Sequence, residues 1–262
     1  MSEPTMLGDA ILADKGDDWL AEMRKRSEAY EAHVAACRAK FCSTCERLKC
    51  SQADCDGVSV FRGGGPCDPC NVRIGREEQL AKWLGRLPPR FTWGLDEPRL
   101  AALVGAEIMA QTRLLFGAER VVFTGAAGCG KTSLAVAMLR ELYESASKPD
   151  AKPALIRRAE GAMFASAYDL SKARARHPLG QGEAPLIDAA MRATTLVIDD
   201  LGSERDGFAS AVTEVLYERH AECRTTWVTT WLDEAKARER YGDGISRRLF
   251  EGARRVRLGK VT

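Results

Sequence analysis

The chain has 262 residues, 45% of them hydrophobic, and a formal net charge of +2. This length accommodates one α/β domain of ordinary size with a smaller module, and the hydrophobic content is sufficient for a sizeable core. No apolar run approaches the ~18 residues of a membrane span, and the first residues lack a signal-peptide pattern, so we expect a cytoplasmic protein with no membrane partner. The near-neutral charge neither favours nor excludes nucleic acid as a partner.

The first element that the sequence predicts is a helix over residues 17–40. Its apolar residues recur at spacings of three, four and seven, which is the spacing of one helix face. The residues of this stripe are Trp19, Met23, Tyr30, Val34 and Cys37. Such a stripe indicates a packing face.

A dense cysteine cluster follows, with seven of the nine cysteines between Cys37 and Cys70. In a reducing compartment such clustering favours metal binding over disulfides. Two Cys-x-x-Cys pairs supply four thiolates for a tetrahedral site, and Gly63–Pro66 offers a sharp turn before the second pair. The predicted zinc ligands are Cys42, Cys45, Cys67 and Cys70.

Cysteine spacing leaves alternatives to this zinc site open. The run Cys37, Cys42 and Cys45 also matches the start of a plant-type [2Fe–2S] ligand set. Cys50 and Cys55 exceed the needs of a single zinc ion. Free thiols without a metal are the third interpretation.

A double proline marks the predicted domain boundary. Residues 77–87 have the pattern of a short helix that Pro88 and Pro89 stop. We therefore divide the chain into an N-terminal helical and cysteine-rich module, 1–89, and a second domain, 90–262. The second domain is predicted to open with a helix over residues 97–116.

The segment from Gly125 to Thr132 is a complete phosphate-binding loop. It fits G-x-x-x-x-G-K-[ST], with an apolar strand before it at 120–124 and a helix after it at 133–140. Backbone N–H groups of such a loop and the helix N-terminus bind phosphate oxygens. The residues predicted to bind ATP are Gly125, Ala126, Ala127, Gly128, Cys129, Gly130, Lys131, Thr132 and Ser133. Lys131 would reach the β- and γ-phosphates, and the Thr132 hydroxyl would ligate Mg²⁺.

Strands and helices alternate after the loop. This alternation predicts a parallel sheet covered by helices on both faces, which is an α/β fold. The predicted strands are 163–167, 195–198 and 226–229, and the predicted helices are 184–192, 208–221 and 244–251.

Two aspartates follow the apolar strand at 195–198. The carboxyl end of such a strand is where Mg²⁺ and the γ-phosphate lie in phosphate-loop proteins. We expect Asp199 to hold the metal and its hydration shell, and Asp200 to orient or deprotonate the attacking water.

The combination of motifs from about Phe91 onward resembles the AAA+ ATPases of the DnaC/IstB class, which includes bacterial and phage helicase loaders and transposon ATPase subunits. The phosphate loop carries the resemblance together with four later segments. These are Leu196–Gly202, Glu214–Arg219, Val228–Thr230 and the run from Arg240 to Leu249. The resemblance implies an AAA+ P-loop NTPase fold with a parallel sheet flanked by helices. Because the chain ends shortly after the last segment, we expect no C-terminal helical lid.

The same resemblance implies two further site residues. Arg248 matches the position of the arginine finger, which reaches the γ-phosphate bound to a neighbouring subunit, and Arg247 beside it is the alternative. Thr230 matches the polar sensor at the end of its strand. Trp231 departs from the pattern, because the class often has a small polar residue there.

These residues predict an ATP-dependent switch that forms a homo-oligomer when ATP is bound. The resemblance implies a helicase loader in DNA replication, with a replicative helicase as partner and the cysteine-rich module gripping it. The alternatives are a transposition accessory ATPase, with a transposase as partner, and a zinc-anchored adaptor that binds ATP with little hydrolysis.

Two basic stretches are candidates for contact with DNA. For the first stretch the candidate partner is single-stranded DNA. Affinity for nucleic acid depends largely on such charges. They comprise Lys172, Arg174, Arg176 and His177, and then Arg254, Arg255, Arg257 and Lys260. Solvated surface charge is the alternative interpretation of both.

Overall fold

The computed structural model describes residues 68–178, 180–204, 207 and 209–259, together with residues 22, 24–29 and 32. The chain divides into two compact units, Met1–Arg76 and Glu77–Thr262. In the first unit the described residues between 22 and 32 are helical and exposed. All described strands belong to the second unit.

The described elements alternate between helices and strands from residue 120 onward. Three helices come first: α1 (Asp68–Leu84), α2 (Pro98–Val104) and α3 (Ala106–Leu114). The alternating part consists of β1 (Arg120–Gly125), α4 (Lys131–Ala146), α5 (Pro153–Glu160), β2 (Ala162–Ser166), α6 (Ala167–Arg176), α7 (Pro185–Arg192), β3 (Thr195–Leu201), α8 (Ala209–Ala221), β4 (Thr225–Thr230), α9 (Glu234–Tyr241), α10 (Asp243–Phe250) and β5 (Arg254–Leu258).

The five strands form one parallel sheet in the order β2-β3-β4-β1-β5. Because every strand runs the same way, all carboxyl ends meet at one edge of the sheet. β4 lies between β1 and β3 and pairs with both. The ends of β1, β3 and β4 are therefore neighbours, which brings the phosphate loop and the two aspartates together.

Alternate residues of each central strand enter two separate apolar cores. In β1, Val121 and Phe123 face the core formed with α1–α5, and Val122 faces the core formed with α6–α10. Val197 and Ile198 of β3 divide in the same way. Burial of both faces is typical of a parallel sheet whose crossovers are helices. The predicted α/β P-loop NTPase fold is confirmed by this topology.

Most of the predicted elements of the sheet are present. The strands predicted at 120–124, 163–167, 195–198 and 226–229, and the helices at 184–192, 208–221 and 244–251, are confirmed with ends that differ by at most three residues. The single helix predicted over 97–116 is wrong. Gly105 breaks it into α2 and α3, because its φ of 89° lies outside the helical range.

The helix predicted at 77–87 belongs to the longer α1, and its apolar side packs inside the second unit. Trp83 is buried, and its ring stacks on Tyr143 of α4 with 5.7 Å between ring centroids. None of the helices in the described part of the chain combines the length and apolar character that a bilayer span requires.

Candidate nucleotide-binding and hydrolysis site

The phosphate loop connects the carboxyl end of β1 to the first turn of α4. Ala126, Ala127 and Gly128 form its exposed tip, whereas Cys129 is buried beneath it. Gly130 precedes α4, whose first helical residues are Lys131, Thr132 and Ser133. The loop thus has the strand-loop-helix context in which backbone N–H groups converge on a phosphate.

Two glycines of the loop are fixed by close packing. A Cβ on Gly125 would lie 2.5 Å from the carbonyl oxygen of Leu258, and one on Gly130 would lie 2.7 Å from a methyl group of Val104. Gly130 also has a φ of 92°, in the left-handed region that glycine adopts without strain. The end of α2 and the end of β5 therefore hold the loop from two sides.

Lys131 lies within the loop. Its side chain is largely buried, and Nζ donates hydrogen bonds to the carbonyl oxygens of Gly125 at 2.9 Å and Ala126 at 2.7 Å. Those two carbonyls belong to the segment that would surround the phosphates. The ammonium group is therefore in place to reach the terminal phosphates of a bound nucleotide.

Asp199 is the hub of the hydrogen bonds at this edge of the sheet. The Thr132 hydroxyl donates to its Oδ1 at 2.8 Å, and the Thr229 hydroxyl donates to the same oxygen at 2.6 Å. Thr132 comes from α4, Asp199 from β3 and Thr229 from β4. Three separate elements thus meet on one carboxylate oxygen beside the phosphate loop.

A bulge in β3 separates the roles of the two aspartates. The register between β3 and β4 shifts between Ile198 and Leu201, and Asp200 has a φ of 55°. Its backbone N–H donates to the Thr229 hydroxyl at 2.8 Å, while its side chain is exposed. Bulges of this kind re-aim side chains next to active sites.

Burial raises the pKa of the Asp199 carboxyl above its ordinary value of 3.8. The hydrogen bonds from Thr229 and Thr132 oppose this shift, because they stabilise the charged form. Asp200 adds like-charge repulsion, and the Lys131 charge counteracts it. The carboxylate is therefore costly to keep charged until a cation is near it.

Thr230 lies apart from this network. Its hydroxyl donates to the carbonyl oxygen of Leu201 at 2.7 Å and accepts from the N–H of Leu232 at 3.0 Å, and the residue is fully buried. Trp231, at the strand end, is half-exposed. Thr229, which the sequence analysis did not select, is the β4 residue that contacts Asp199.

Arg248 lies near the opposite end of β1 from the phosphate loop. The guanidinium Nη1 of Arg120, the first residue of β1, donates to the Arg248 carbonyl oxygen at 3.4 Å. The six residues of β1 place its two ends about 16 Å apart at ~3.3 Å per residue. Arg248 is thus remote from the loop of its own chain. Arg247 forms an ion pair with Glu251 at 3.4 Å.

A buried carboxylate that the sequence analysis missed joins the two regions. Glu204 accepts from the N–H of Gly202 at 2.9 Å, just after the aspartates, and from the Tyr241 hydroxyl at the end of α9. The Arg240 guanidinium donates to the Glu204 carbonyl oxygen at 2.8 Å. Burial and the bond to Glu204 raise the pKa of Tyr241. α9 leads directly into α10, which carries Arg248.

The predicted zinc site lies outside the described side chains. Cys42, Cys45 and Cys67 fall on residues that the structure does not describe, as does the side chain of Cys70. Within the described ranges, no group of three or more His, Cys, Asp or Glu residues is arranged to hold a metal ion. The zinc site therefore stays a prediction.

The first basic stretch is partly engaged within the protein. Arg174 forms ion pairs with Glu183 and with Glu214, the latter at 2.7 Å. Arg255 of the second stretch pairs with Glu234 at 2.9 Å. Lys260 lies beyond the described residues. These carboxylates reduce the charge that either stretch presents to DNA.

No protein-family model matches the sequence, and no curated protein matches it. Several solved structures are similar to the chain. The DnaC helicase loader is 20% identical, with a TM-score of 0.48, and the match covers 65% of this chain and 99% of that one. DnaI is 17% identical with a TM-score of 0.45, covering 58% and 83%. AMPPCP-bound DnaA from Aquifex aeolicus is 17% identical with a TM-score of 0.44, covering 66% and 51%. At these identities the likeness concerns the fold alone.

Proposed function

We propose that the chain binds ATP with Mg²⁺ and hydrolyses it. The observation that carries the proposal is the convergence of Thr132 and Thr229 on Asp199, beside a complete phosphate loop. A loop without the carboxylate would only bind phosphates. Together with the Thr132 hydroxyl, the Asp199 carboxylate would hold the metal ion that phosphoryl transfer requires.

The residues present fit a magnesium ion. Mg²⁺ prefers oxygen ligands in an octahedron at about 2.0–2.1 Å, so two adjacent ligands lie about 2.9 Å apart. The Thr132 hydroxyl and Asp199 Oδ1 are 2.8 Å apart. When bound, the ion neutralises charge on the phosphates. Thr132 and Asp199 would hold it, and it would relieve the cost of keeping Asp199 charged.

The remaining residues of the site take distinct roles. Lys131 would neutralise the terminal phosphates, and Asp200, exposed at the bulge, would orient the attacking water or accept its proton. We assign the sensing of the γ-phosphate to Thr229, since its hydroxyl links Asp199 to the Asp200 backbone. Arg248 would act on the nucleotide of a second copy, and hydrolysis would then require a homo-oligomer.

The task that we propose is the loading of a replicative helicase in DNA replication. Its support is the combination of the phosphate loop, the Leu196–Gly202 segment and the arginine segment, which together resemble helicase loaders. Single-stranded DNA would be the second partner, and the cysteine-rich module with bound zinc would contact the helicase. The half-exposed Trp231 favours one alternative, an adaptor that binds ATP with little turnover.

The test is ATP turnover by the purified chain with and without single-stranded DNA, together with its zinc content. We expect DNA-stimulated turnover that is lost in Lys131→Ala and Asp200→Asn, and one zinc per chain. A protein that binds ATP tightly but shows no turnover with DNA or helicase supports the adaptor. Co-purification with an integrase-type transposase in place of a helicase would replace loading with the transposition role.

A further inference from the structure

A small cavity at the amino end of the sheet is lined by basic side chains. Arg120 begins β1, Arg224 precedes β4, and Arg248 lies on α10, yet all three line the same cavity of about 20 Å³. His220, at the end of α8, lines it as well, and its floor is apolar. This volume holds about one water molecule, so a larger ligand would bind at its mouth.

These three arginines differ from the neighbouring Arg247 in their ion pairing. Within the described part of the chain, no ion pair involves Arg120, Arg224 or Arg248, whereas the neighbouring Arg247 pairs with Glu251. The Arg248 guanidinium instead lies over the Tyr217 ring, 4.5 Å from its centroid, and donates to the Gly244 carbonyl oxygen at 3.0 Å. Three half-buried positive charges around one cavity repel each other, and an anion at its mouth would relieve that repulsion.

The lowered pKa of His220 agrees with a positive electrostatic potential at this cavity. His220 is exposed as a whole, but partial loss of solvent around its imidazole lowers its pKa most. The charges of Arg120, Arg248 and Arg247 lower this pKa further, and Glu251 opposes them. An additional proton is therefore disfavoured beside Arg120 and Arg248.

The size and position of this arginine cluster indicate its ligand. Nucleic acid needs an extended basic groove with aromatic rings for base stacking. Here the three arginines line one small cavity, and the exposed ring beside them, Tyr217, is already covered by Arg248. A compact ligand with several negative charges fits better. The phosphate loop of the same chain cannot supply it, because β1 separates the two places by about 16 Å.

We propose that Arg120 and Arg224 join Arg248 in a phosphate-binding surface that engages the terminal phosphates of a nucleotide held by the loop of a second copy of this chain. The proposal rests on the proposed function, in which the loop binds ATP. One copy then presents its loop edge to the arginine cluster of the next. Such a head-to-tail contact repeats, and it generates a ring or a helical filament.

The first experiment measures self-association by sedimentation velocity with a non-hydrolysable ATP analogue. The variants are Arg120→Ala and Arg224→Ala. The matched control is Arg192→Ala, at the end of α7 and next to the same edge of the sheet, whose 76% exposed side chain pairs only with Asp188. We expect nucleotide-dependent association to weaken about tenfold or more in each test variant, as for loss of a charge-assisted hydrogen bond, and to stay within twofold in the control. Binding of a fluorescent nucleotide by each variant shows that it is folded.

The second experiment mixes two variants, each impaired in ATP turnover. Lys131→Ala has a defective phosphate loop and an intact arginine cluster. Arg120→Ala has an intact phosphate loop and a defective arginine cluster. Mixing should restore ATP turnover above the sum of the two proteins alone, since one supplies the loop and the other the arginines. Absence of restoration, although Arg120→Ala still binds nucleotide, would overturn the proposal.

Other outcomes separate this inference from the proposed function. If the wild-type chain does not bind nucleotide, the proposed function fails and the inference fails with it. If it binds nucleotide but associates equally well without the arginines, only the inference fails. If Arg120→Ala loses affinity for a single-stranded oligonucleotide while its self-association is unchanged, the arginine cluster is a nucleic-acid surface and the proposal is overturned.

Discussion

Replacement of Thr229 by valine tests the hub at Asp199 most directly. Valine has nearly the same shape but no hydroxyl. The substitution removes the 2.6 Å hydrogen bond to the Asp199 carboxylate and leaves the Asp200 N–H without its partner. A hydrogen bond to a charged group contributes about 1.5–3 kcal/mol, and an unsatisfied buried donor costs about 1–3 kcal/mol. Since one hydroxyl serves both contacts, we expect a total loss of about 3 kcal/mol.

Thermal and urea unfolding measure this loss. For a unit of this size, about 3 kcal/mol lowers the melting temperature by roughly 6–12 °C. We also expect ATP turnover to fall at least tenfold, because Asp199 loses an anchor that fixes it toward the metal. Thr229→Ser keeps the hydroxyl and should retain most of the turnover.

Thr230→Val is the matched control, because it makes the same substitution at the next residue of β4. Its hydroxyl bonds only to the backbone of Leu201 and Leu232, so it should lose stability while turnover of the folded protein changes little. Wild-type stability and turnover in Thr229→Val would refute the reasoning. If Thr230→Val alone abolished turnover, the sensor would be Thr230, as the sequence resemblance implies.

Three further predictions concern the loop, the core and pH. Gly130→Ala should lower the melting temperature and weaken nucleotide binding measured by fluorescence titration, because its Cβ would meet Val104 at 2.7 Å in a left-handed conformation that costs about 1–2 kcal/mol. Arg219→Ala should destabilise the fold in urea unfolding, because the buried guanidinium donates to the carbonyl oxygens of Ala190 and Ala193 and its loss leaves both without a donor. At about 1–3 kcal/mol for each unsatisfied acceptor, the loss should be about 2–6 kcal/mol, and a change under about 1 kcal/mol would show that water replaces the guanidinium. Because the pKa of Asp199 is raised, the folded state holds that proton more tightly than the unfolded chain. The free energy of unfolding of the wild type should therefore fall relative to that of Asp199→Asn as pH rises from 3.8 through the raised pKa. Parallel plots of unfolding free energy against pH for the two proteins would contradict the raised pKa of Asp199.

Apolar periodicity predicted the central strands because burial on both faces leaves a continuous apolar signature. β5 lacks that signature. Its sequence is RRVRL, and only Val256 and Leu258 enter the core while the arginines of this edge strand remain exposed. A basic pentapeptide of this kind cannot be distinguished from a surface turn by composition.

The short helices α6 and α9 were missed although each carries a local signal. Ser166 caps α6 by accepting from the N–H of Asp169 at 3.0 Å, and Asp233 caps α9 by accepting from the N–H of Lys236 at 2.9 Å. Ser-x-x-Asp and Asp before a helix are recognisable N-cap patterns. Neither helix has a strong apolar stripe, so periodicity alone did not reveal them.

The site was predictable where a motif is contiguous. The phosphate loop and Asp199 follow from sequence because each has a fixed local pattern. The choice between Thr229 and Thr230 depends on which face of β4 meets the bulge at Asp200, and a bulge has no sequence signal here. Arg120 and Arg224 lie far apart in sequence, and only the neighbouring positions of β1 and β4 in the sheet bring them to Arg248.

The buried carboxylate of Glu204 has a mechanical consequence. Removal of one partner from a buried charge costs about 3–5 kcal/mol, so the turn at Gly202 and the end of α9 cannot separate cheaply. They would move together, and they connect Gly202, just after the two aspartates, to Tyr241, just before the helix that carries Arg248. In a head-to-tail assembly, a displacement at one nucleotide would shift the arginine offered to the next. Each copy would pass its nucleotide state to one neighbour only, which gives such an assembly a direction.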